Sequence, residues 1–452
     1  MKNTLKKLGA IPLVLMLMMS LSVNAFAAGG DMTGQAGVIG EFQTPDTPDT
    51  AYDPTVVIYK EITALNPESC EVNAPTITYN YTIAAGDAGK TITDASSHHN
   101  QVGGADVNAT GTTKAGVGTP TITGTAAGVL AITPADKLKA SANGTANRFP
   151  LTVSFAGIDF TTAGTGAGVY RYVINETTTE GAKNAAGIKE GTVANTLYMD
   201  VYVDGTGAIY GYVLFTNNVD IDASPNNDAA AATAAGKTEG FVGAQPDDGV
   251  YDTDNSAADK YYTFNLDLTK VVVNDTYAVN THHQFPFTVT LANTSVTAAV
   301  LPIMTVGTNA TQTALTAAAI GGQTWSPKIA DSATINYVGI PCGTTITVKE
   351  TNDVTGVTYT SVSTNADANA AAKVISTGAD SNTATINCGA TALTAATENH
   401  TAAGAGKVLT FTNTLVQISP TGVAMRIAPY ALMLIGGLVL LVISRRRKAE
   451  EA

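Results

Sequence analysis

Tyr261-Tyr-Thr-Phe-Asn-Leu-Asp-Leu-Thr-Lys270 decides how the rest of the chain reads. Two strand-like runs meet in it without a linker, Tyr261–Asn265 and Leu266–Val273. Both are built from aromatic, aliphatic and β-branched residues at a period of two, the signature of a half-buried strand. Toward the N terminus the same signal recurs at Val56–Lys60, Thr76–Ile83, Phe149–Phe155, Val169–Glu176, Leu197–Val203 and Ile209–Phe215. Toward the C terminus it recurs at Phe285–Leu291, Thr344–Glu350 and Lys407–Asn413. Gly, Asn, Asp and Thr fill the segments between, and few helical stretches compete. Many short antiparallel strands predict an all-β chain made of β-sandwiches.

The runs repeat in a coarse order. The first half has a strand ending in Lys60, a later one ending in Glu176 and an aromatic one ending in Asn265. The second half has strands ending in Lys270, Glu350 and Asn413. Two sandwich domains in series are therefore expected, at 51–266 and 267–415, with little chain between them.

The ends of the chain carry different signals. Lys2, Lys6 and Lys7, the apolar run Ile11–Val23 and the small-x-small triplet Ala25-Phe26-Ala27 predict a signal peptide over 1–27, followed by an extension over 28–50. The alternative is a first transmembrane helix, for which the run is short. At the other end come Ser419-Pro420-Thr421-Gly422, an apolar stretch over 427–444 and a basic tail over 445–452. A helix of that length spans about 27 Å at ~1.5 Å per residue, close to the ~30 Å hydrocarbon core. The basic tail would stay cytoplasmic, leaving the bulk of the chain outside. An ordinary single-pass membrane protein would share these last two features.

Composition excludes several classes. The chain has 452 residues, a formal net charge of −13 and 13% charged residues, which argues against nucleic acid as a partner. Its 44% hydrophobic content is too high for a charge-rich disordered chain. Three cysteines, Cys70, Cys342 and Cys388, are too few for a disulfide scaffold. Cys342 and Cys388 lie in the same half and are candidates to pair, if their Cα atoms come within ~7 Å. His98-His99 and His282-His283 have no Cys or carboxylate spacing that completes a metal set, and read as solvated loop residues. No phosphate-cradling loop or nucleophile elbow is present. No cofactor or metal is expected.

The order of motif, apolar stretch and basic tail resembles the sorting signals of Gram-positive cell-wall proteins. Ile418-Ser-Pro-Thr-Gly422 keeps the Pro-Thr-Gly of their Leu-Pro-x-Thr-Gly motif but not the leucine spacing. The resemblance implies that a sortase cuts within the signal over 416–425, at Pro420-Thr421-Gly422, leaving Thr421 as the new C terminus. Two stretches, Pro420-Thr-Gly-Val-Ala-Met425 with Ala428-Pro-Tyr430, and VSFAGIDFTTAGTGAGVYRYVINE over Val153–Glu176, resemble Gram-positive pilus backbone subunits of the streptococcal major pilin type. The segments between Lys60 and Arg148 and between Thr216 and Ala258 resemble that family less and read as loops or insertions.

The resemblance implies two Ig-like (CnaB-type) sandwiches, each closed by a self-formed isopeptide bond between Lys and Asn that a Glu promotes. Carried onto matching positions, Lys60 joins Asn265 beside Glu176, and Lys270 joins Asn413 beside Glu350. The chemistry stands on its own. Burial lowers a lysine pKa by up to ~3–5 units, leaving a neutral amine fraction near pH 7, and the same burial favours the uncharged form of a carboxylic acid. A protonated carboxyl can polarise the amide carbonyl, and contact supplies the effective molarity. Such a bond forms once, so the chain is not expected to be an enzyme. The bland alternative is a set of solvated strand-end residues, as lone Lys and Glu usually are.

The same resemblance implies an acceptor lysine for the next subunit just before the last strand of the first domain. Lys260 fits that place, and Lys237, in a loop-like Gly-Lys-Thr-Glu-Gly setting, is the alternative. The partners implied are a sortase and other copies of the chain, with ancillary pilins or a host ligand as further candidates. The competing functions are a monomeric wall-anchored adhesin and a wall-bound enzyme.

Overall fold

The computed structural model describes residues 54–94, 101–102, 105–106, 110–162, 166, 168–203, 206–218, 221–223, 238–243, 257–273, 283–354, 357–364, 371–375, 381–387, 407–418 and 432–443. The expected signal peptide and N-terminal extension lie outside the described residues. Strands dominate what is described, as the sequence predicts.

We number the longer elements in chain order. These are β1 (Thr55–Leu65), β2 (Ile77–Ala85), β3 (Thr145–Ser154), β4 (Gly168–Glu176), α1 (Glu180–Ala185), β5 (Thr196–Val203) and β6 (Ile209–Phe215). They continue with β7 (Asp259–Val273), β8 (Gln284–Ala292), β9 (Thr334–Pro341), β10 (Thr345–Thr351), β11 (Val357–Thr364), β12 (Ser381–Asn387) and β13 (Lys407–Ile418).

One long sheet runs through the molecule in the order β11-β13-β7-β1-β3, with β9 also paired to β7. Two further sheets oppose it: β2-β4-β5-β6 and β8-β10-β12, each with shorter strands at its edge. Buried side chains form two clusters. The first runs from Val56 to Tyr261 and the second from Tyr262 to Phe411. The two expected strands Tyr261–Asn265 and Leu266–Val273 are thus one continuous strand of 15 residues that serves both cores. The change of core falls between Tyr261 and Tyr262, a few residues before the expected boundary at 266/267.

Period-two alternation explains where the polar residues go. In β1, Val56, Ile58, Ile62 and Ala64 face the core, so Lys60 faces it too. The same logic turns Lys270 inward with Leu266 and Leu268, Glu176 with Tyr172 and Ile174, Glu350 with Ile346 and Val348, and Asn413 with Leu409 and Phe411. All six expected site residues are buried; the solvated reading does not hold for Lys60, Glu176, Lys270, Glu350, Asn265 or Asn413. A charge in such a place requires a partner.

The ends of each core are tied by parallel pairing. β1 pairs in parallel with the start of β7, Ile62 opposite Asp259 through Leu65 opposite Tyr262. The remainder of β7 pairs in parallel with β13, Leu266 opposite Lys407 through Val273 opposite Thr414. Adjacent parallel strands need a long crossover, and here the whole body of each core is that crossover.

The stretch between Lys60 and Arg148, expected as loop or insertion, contributes more than that. It supplies β2, which pairs with β4, and the strand Val129–Ile132, and it puts Tyr79, Tyr81 and Leu130 into the first core. The strand signal read at Thr76–Ile83 is thus borne out as β2, and the strand Val129–Ile132 joins it.

Candidate functional site

The second core holds the simpler of two buried polar sites. Lys270 Nζ lies 2.9 Å from Glu350 Oε1, and Asn413 Nδ2 donates to the same oxygen at 2.8 Å. Ser361 Oγ donates to Glu350 Oε2 at 2.9 Å and accepts from Asn382 Nδ2 at 2.9 Å. Lys270 Nζ also donates to the Phe411 carbonyl at 3.3 Å and sits 4.7 Å from the centre of the Phe285 ring. Burial pulls the Lys270 ammonium down to about 8, outweighing the opposite pull of Glu350. Asn413 Oδ1 is buried without a hydrogen-bond partner, an unsatisfied carbonyl oxygen beside an amine of weakened basicity. The expected trio of Lys270, Glu350 and Asn413 is therefore brought together.

The first core departs from expectation. Lys60 Nζ lies 2.9 Å from Glu176 Oε2, as expected, but its other carboxylate is Asp259 Oδ2 at 2.7 Å. Asn265 is not in this site. It follows Asp259 by six positions in the same strand, about 20 Å at ~3.3 Å per residue. Its side chain accepts from Asn66 Nδ2 at 2.9 Å, donates to Asn66 Oδ1 at 3.1 Å and donates to Glu68 Oε2 at 3.2 Å. It sits at a register shift in the β7–β9 ladder, where the Gly339 N–H also donates to its Oδ1 at 3.3 Å. The pairing of Lys60 with Asn265 is replaced by Lys60 with Asp259, because parallel register sets Asp259 opposite Ile62, two residues past the lysine. The second site has the same offset: Asn413 lies opposite Val272, two residues past Lys270.

A second lysine enters the first site. Lys183, in the last turn of α1, is fully buried, with Nζ 2.7 Å from Glu176 Oε1, 2.9 Å from Glu190 Oε1 and 3.3 Å from Asp259 Oδ2. Thr179 caps this helix by accepting from the Ala182 N–H at 3.3 Å. Burial alone would lower the Lys183 pKa, but Glu176 and Asp259 hold it well above the ordinary lysine value. For Asp259 too, burial pushes upward, and Lys60 and Lys183 outweigh it and hold the carboxyl below its usual range. Tyr79 donates to Asp259 Oδ2 at 3.1 Å, and its ring lies 4.6 Å from Lys60 Nζ. The Gly191 N–H donates to Asp259 Oδ1 at 2.8 Å. A Cβ at Gly191 would collide with the carbonyl oxygen of Ala257, so only glycine brings this N–H so close to β7.

Sequence reasoning missed Asp259 and Lys183. Asp259 opens β7, two residues ahead of the aromatic run Tyr261–Asn265 that carried the strand signal. Lys183 had no strand pattern to mark it.

Other expected positions fall as follows. Lys260 is half-buried on β7, opposite Thr63 on one side and Lys189 on the other. Lys237, Pro420, Thr421 and Gly422 lie outside the described residues, as do His98, His99, His282 and Cys388. The expected pairing of Cys342 with Cys388 is thereby outside them too; Cys342 is buried. His283 is a partly exposed loop residue whose Nε2 lies 2.8 Å from Asp353 Oδ1 and whose ring packs edge-on against Phe285. Within the expected span 427–444, residues 432–443 form a helix. No helix among the described residues is long and apolar enough to cross a membrane.

A family described as "Domain of unknown function (DUF7601)" matches residues 264–389. No curated protein matches the chain. The chain is similar to the major pilin protein (T-13) from Streptococcus pyogenes, at 17% identity and a TM-score of 0.32, covering 81% of this chain and 100% of that one. It is likewise similar to the major pilin protein (T3.2) from Streptococcus pyogenes, at 15% identity and a TM-score of 0.33, covering 79% and 99%. A pilus-presented adhesin matches at 15% identity and a TM-score of 0.20, over 48% of this chain and 36% of that one.

Proposed function

We propose that the chain is a structural pilus subunit, joined covalently into a surface fibre by a sortase, in which both cores close with self-formed amide bonds. The observation that carries this reading is the meeting of Lys270, Glu350 and Asn413 in one buried site between the first and last strands of the second core.

The second site condenses an amine with an amide. Neutral Lys270 attacks Cγ of Asn413, Glu350 shuttles a proton from the attacking nitrogen to the departing one, and ammonia leaves. The unpartnered Asn413 Oδ1 is the oxygen on which negative charge would develop. The first site condenses an amine with a carboxylic acid. Lys60 attacks Cγ of Asp259, Glu176 relays two protons from the Lys60 nitrogen to Oδ2, and water leaves. Each bond forms once, so neither site is an enzyme's active site.

The placement fits a load-bearing part. Each bond would tie the first strand of a core to its last, so tension passes through a covalent link rather than through strand separation. In the helix over 432–443 the large apolar residues, Leu432 through Ile443, are exposed among the described residues. That supports insertion of this stretch in a membrane until Thr421 is cut and transferred to Lys260, or to Lys237, of the next subunit.

Immunoblotting of cell-wall extracts tests the polymer. A ladder of SDS-resistant species is expected, and a single band would favour a monomeric wall-anchored adhesin. Mass spectrometry tests the bonds: loss of water and of ammonia together lowers the mass by about 35 Da.

A further inference from the structure

Asp259 Oδ2 is the most heavily contacted oxygen of the first site: Lys60 Nζ at 2.7 Å, Tyr79 Oη at 3.1 Å and Lys183 Nζ at 3.3 Å converge on it. Oδ1 has a different partner, the Gly191 N–H at 2.8 Å. The two oxygens of one carboxylate are thus held unequally. The second site has no counterpart, because Asn413 already carries a nitrogen where the leaving group must be.

We propose that Lys183 is a catalytic residue of the first site, which steadies Oδ2 of Asp259 as it departs as water and remains afterwards as the counter-ion of Glu176. The inference rests on the reading that Lys60 and Asp259 condense.

The atoms balance. Lys60 enters as an ammonium and Asp259 as a carboxylate. The C–N bond forms between Nζ and Cγ, and the Cγ–Oδ2 bond breaks. Two protons pass from the Lys60 nitrogen to Oδ2, through Glu176 Oε2 at 2.9 Å from Nζ, and one water leaves. Oδ1, anchored by Gly191, becomes the amide oxygen. Charge that accumulates on the carboxylate oxygens during attack meets a fixed cation and a fixed hydroxyl in a site closed to water, where such groups act most strongly. When the amide has formed, one positive and one negative charge are gone. Lys183, 2.7 Å from Glu176 Oε1, still neutralises the glutamate left in the core. The high basicity of Lys183 fits this role and not that of nucleophile.

The test uses the full chain, produced without a sortase, and compares intact mass and cross-linked peptides for the parent, Lys183→Gln and Lys183→Arg. In the parent, a peptide joining Lys60 to Asp259 is expected, with a loss of about 18 Da. Lys183→Gln should lower its yield at a fixed time after synthesis at least tenfold, and Lys183→Arg, which keeps the charge, should restore most of it. The ammonia loss at Lys270–Asn413 should persist in both variants. Protease resistance of the first half reports folding; should Lys183→Gln fail there, a linked Lys183→Arg supports the inference and a folded but unlinked one overturns it. A folded Lys183→Gln with parental yield overturns the inference and leaves the Lys60–Asp259 reading intact, whereas a cross-link from Lys183 to Asp259 in the parent overturns both. No loss of water in the parent chain removes both.

Discussion

Lys60 Nζ lies 2.7 Å from Asp259 Oδ2, across the parallel junction of the first and last strands of one core. The register is the same in the second core, where Asn413, like Asp259, lies opposite the residue two positions past the lysine and meets Lys270 at Glu350 Oε1. The two sites share a geometry and differ in chemistry: acid in one, amide in the other.

That difference predicts distinct mass signatures. Asp259→Ala or Lys60→Ala should abolish only the loss of about 18 Da, and Asn413→Ala or Lys270→Ala only the loss of about 17 Da. Asn265→Ala should leave both losses in place. A second loss of about 17 Da in place of the 18 Da step, missing in Asn265→Ala, would return Asn265 to the site.

Asn265 carries a structural role that can be measured separately. It closes a reciprocal pair with Asn66 and accepts from Gly339 where β7 passes from one core to the next. Asn265→Ala strands these buried partners, at about 1–3 kcal/mol. The expected result is earlier proteolysis near the junction and a lower denaturant midpoint, with both bonds still formed.

The second bond should form faster as pH rises. With the Lys270 ammonium held near 8 by burial, about one lysine in ten is neutral at pH 7, against roughly one in a few thousand at the unperturbed ~10.4. Ammonia release from freshly refolded chain should rise about tenfold per pH unit below 8 and level off above it. The sign for stability before the bond forms is the same. Between about 8 and ~10.4 the unfolded lysine binds a proton that the folded one does not, so stability climbs through that window as pH rises. A flat rate from pH 6 to 8 would falsify the neutral-amine step.

Arg171 and Asp200 form a fully buried pair on β4 and β5, with Nε to Oδ1 and Nη2 to Oδ2 both at 2.8 Å. Asp200→Ala leaves a guanidinium in the core. Removing one partner of such a pair costs about 3–5 kcal/mol. Denaturant unfolding should show that loss, while the Lys270–Asn413 bond, in the other core, forms as before.

Much of the molecule was legible from local pattern. Strand identity follows from a period of two, and that period alone fixes which face each residue takes. The sequence therefore determined that Lys60, Glu176, Lys270 and Glu350 point into cores, since each sits in phase with Ile, Leu, Val or Tyr neighbours. Asn413 likewise turns inward in phase with Leu409 and Phe411, but its place beside Lys270 and Glu350 was implied only by the pilin resemblance and rests on the parallel register of β7 and β13. Only the tertiary structure decided which residue meets Lys60. Asp259 and Asn265 both turn inward from the same strand, and the choice depends on the register of β7 against β1, some 200 residues away in the chain. Register between distant parallel strands is set by how the intervening sheets pack, which no local window contains. Lys183 was hidden for a related reason: a short helix of six residues, placed by the fold against Glu176 and Asp259, brings it to a site that neither its spacing nor its neighbours announce.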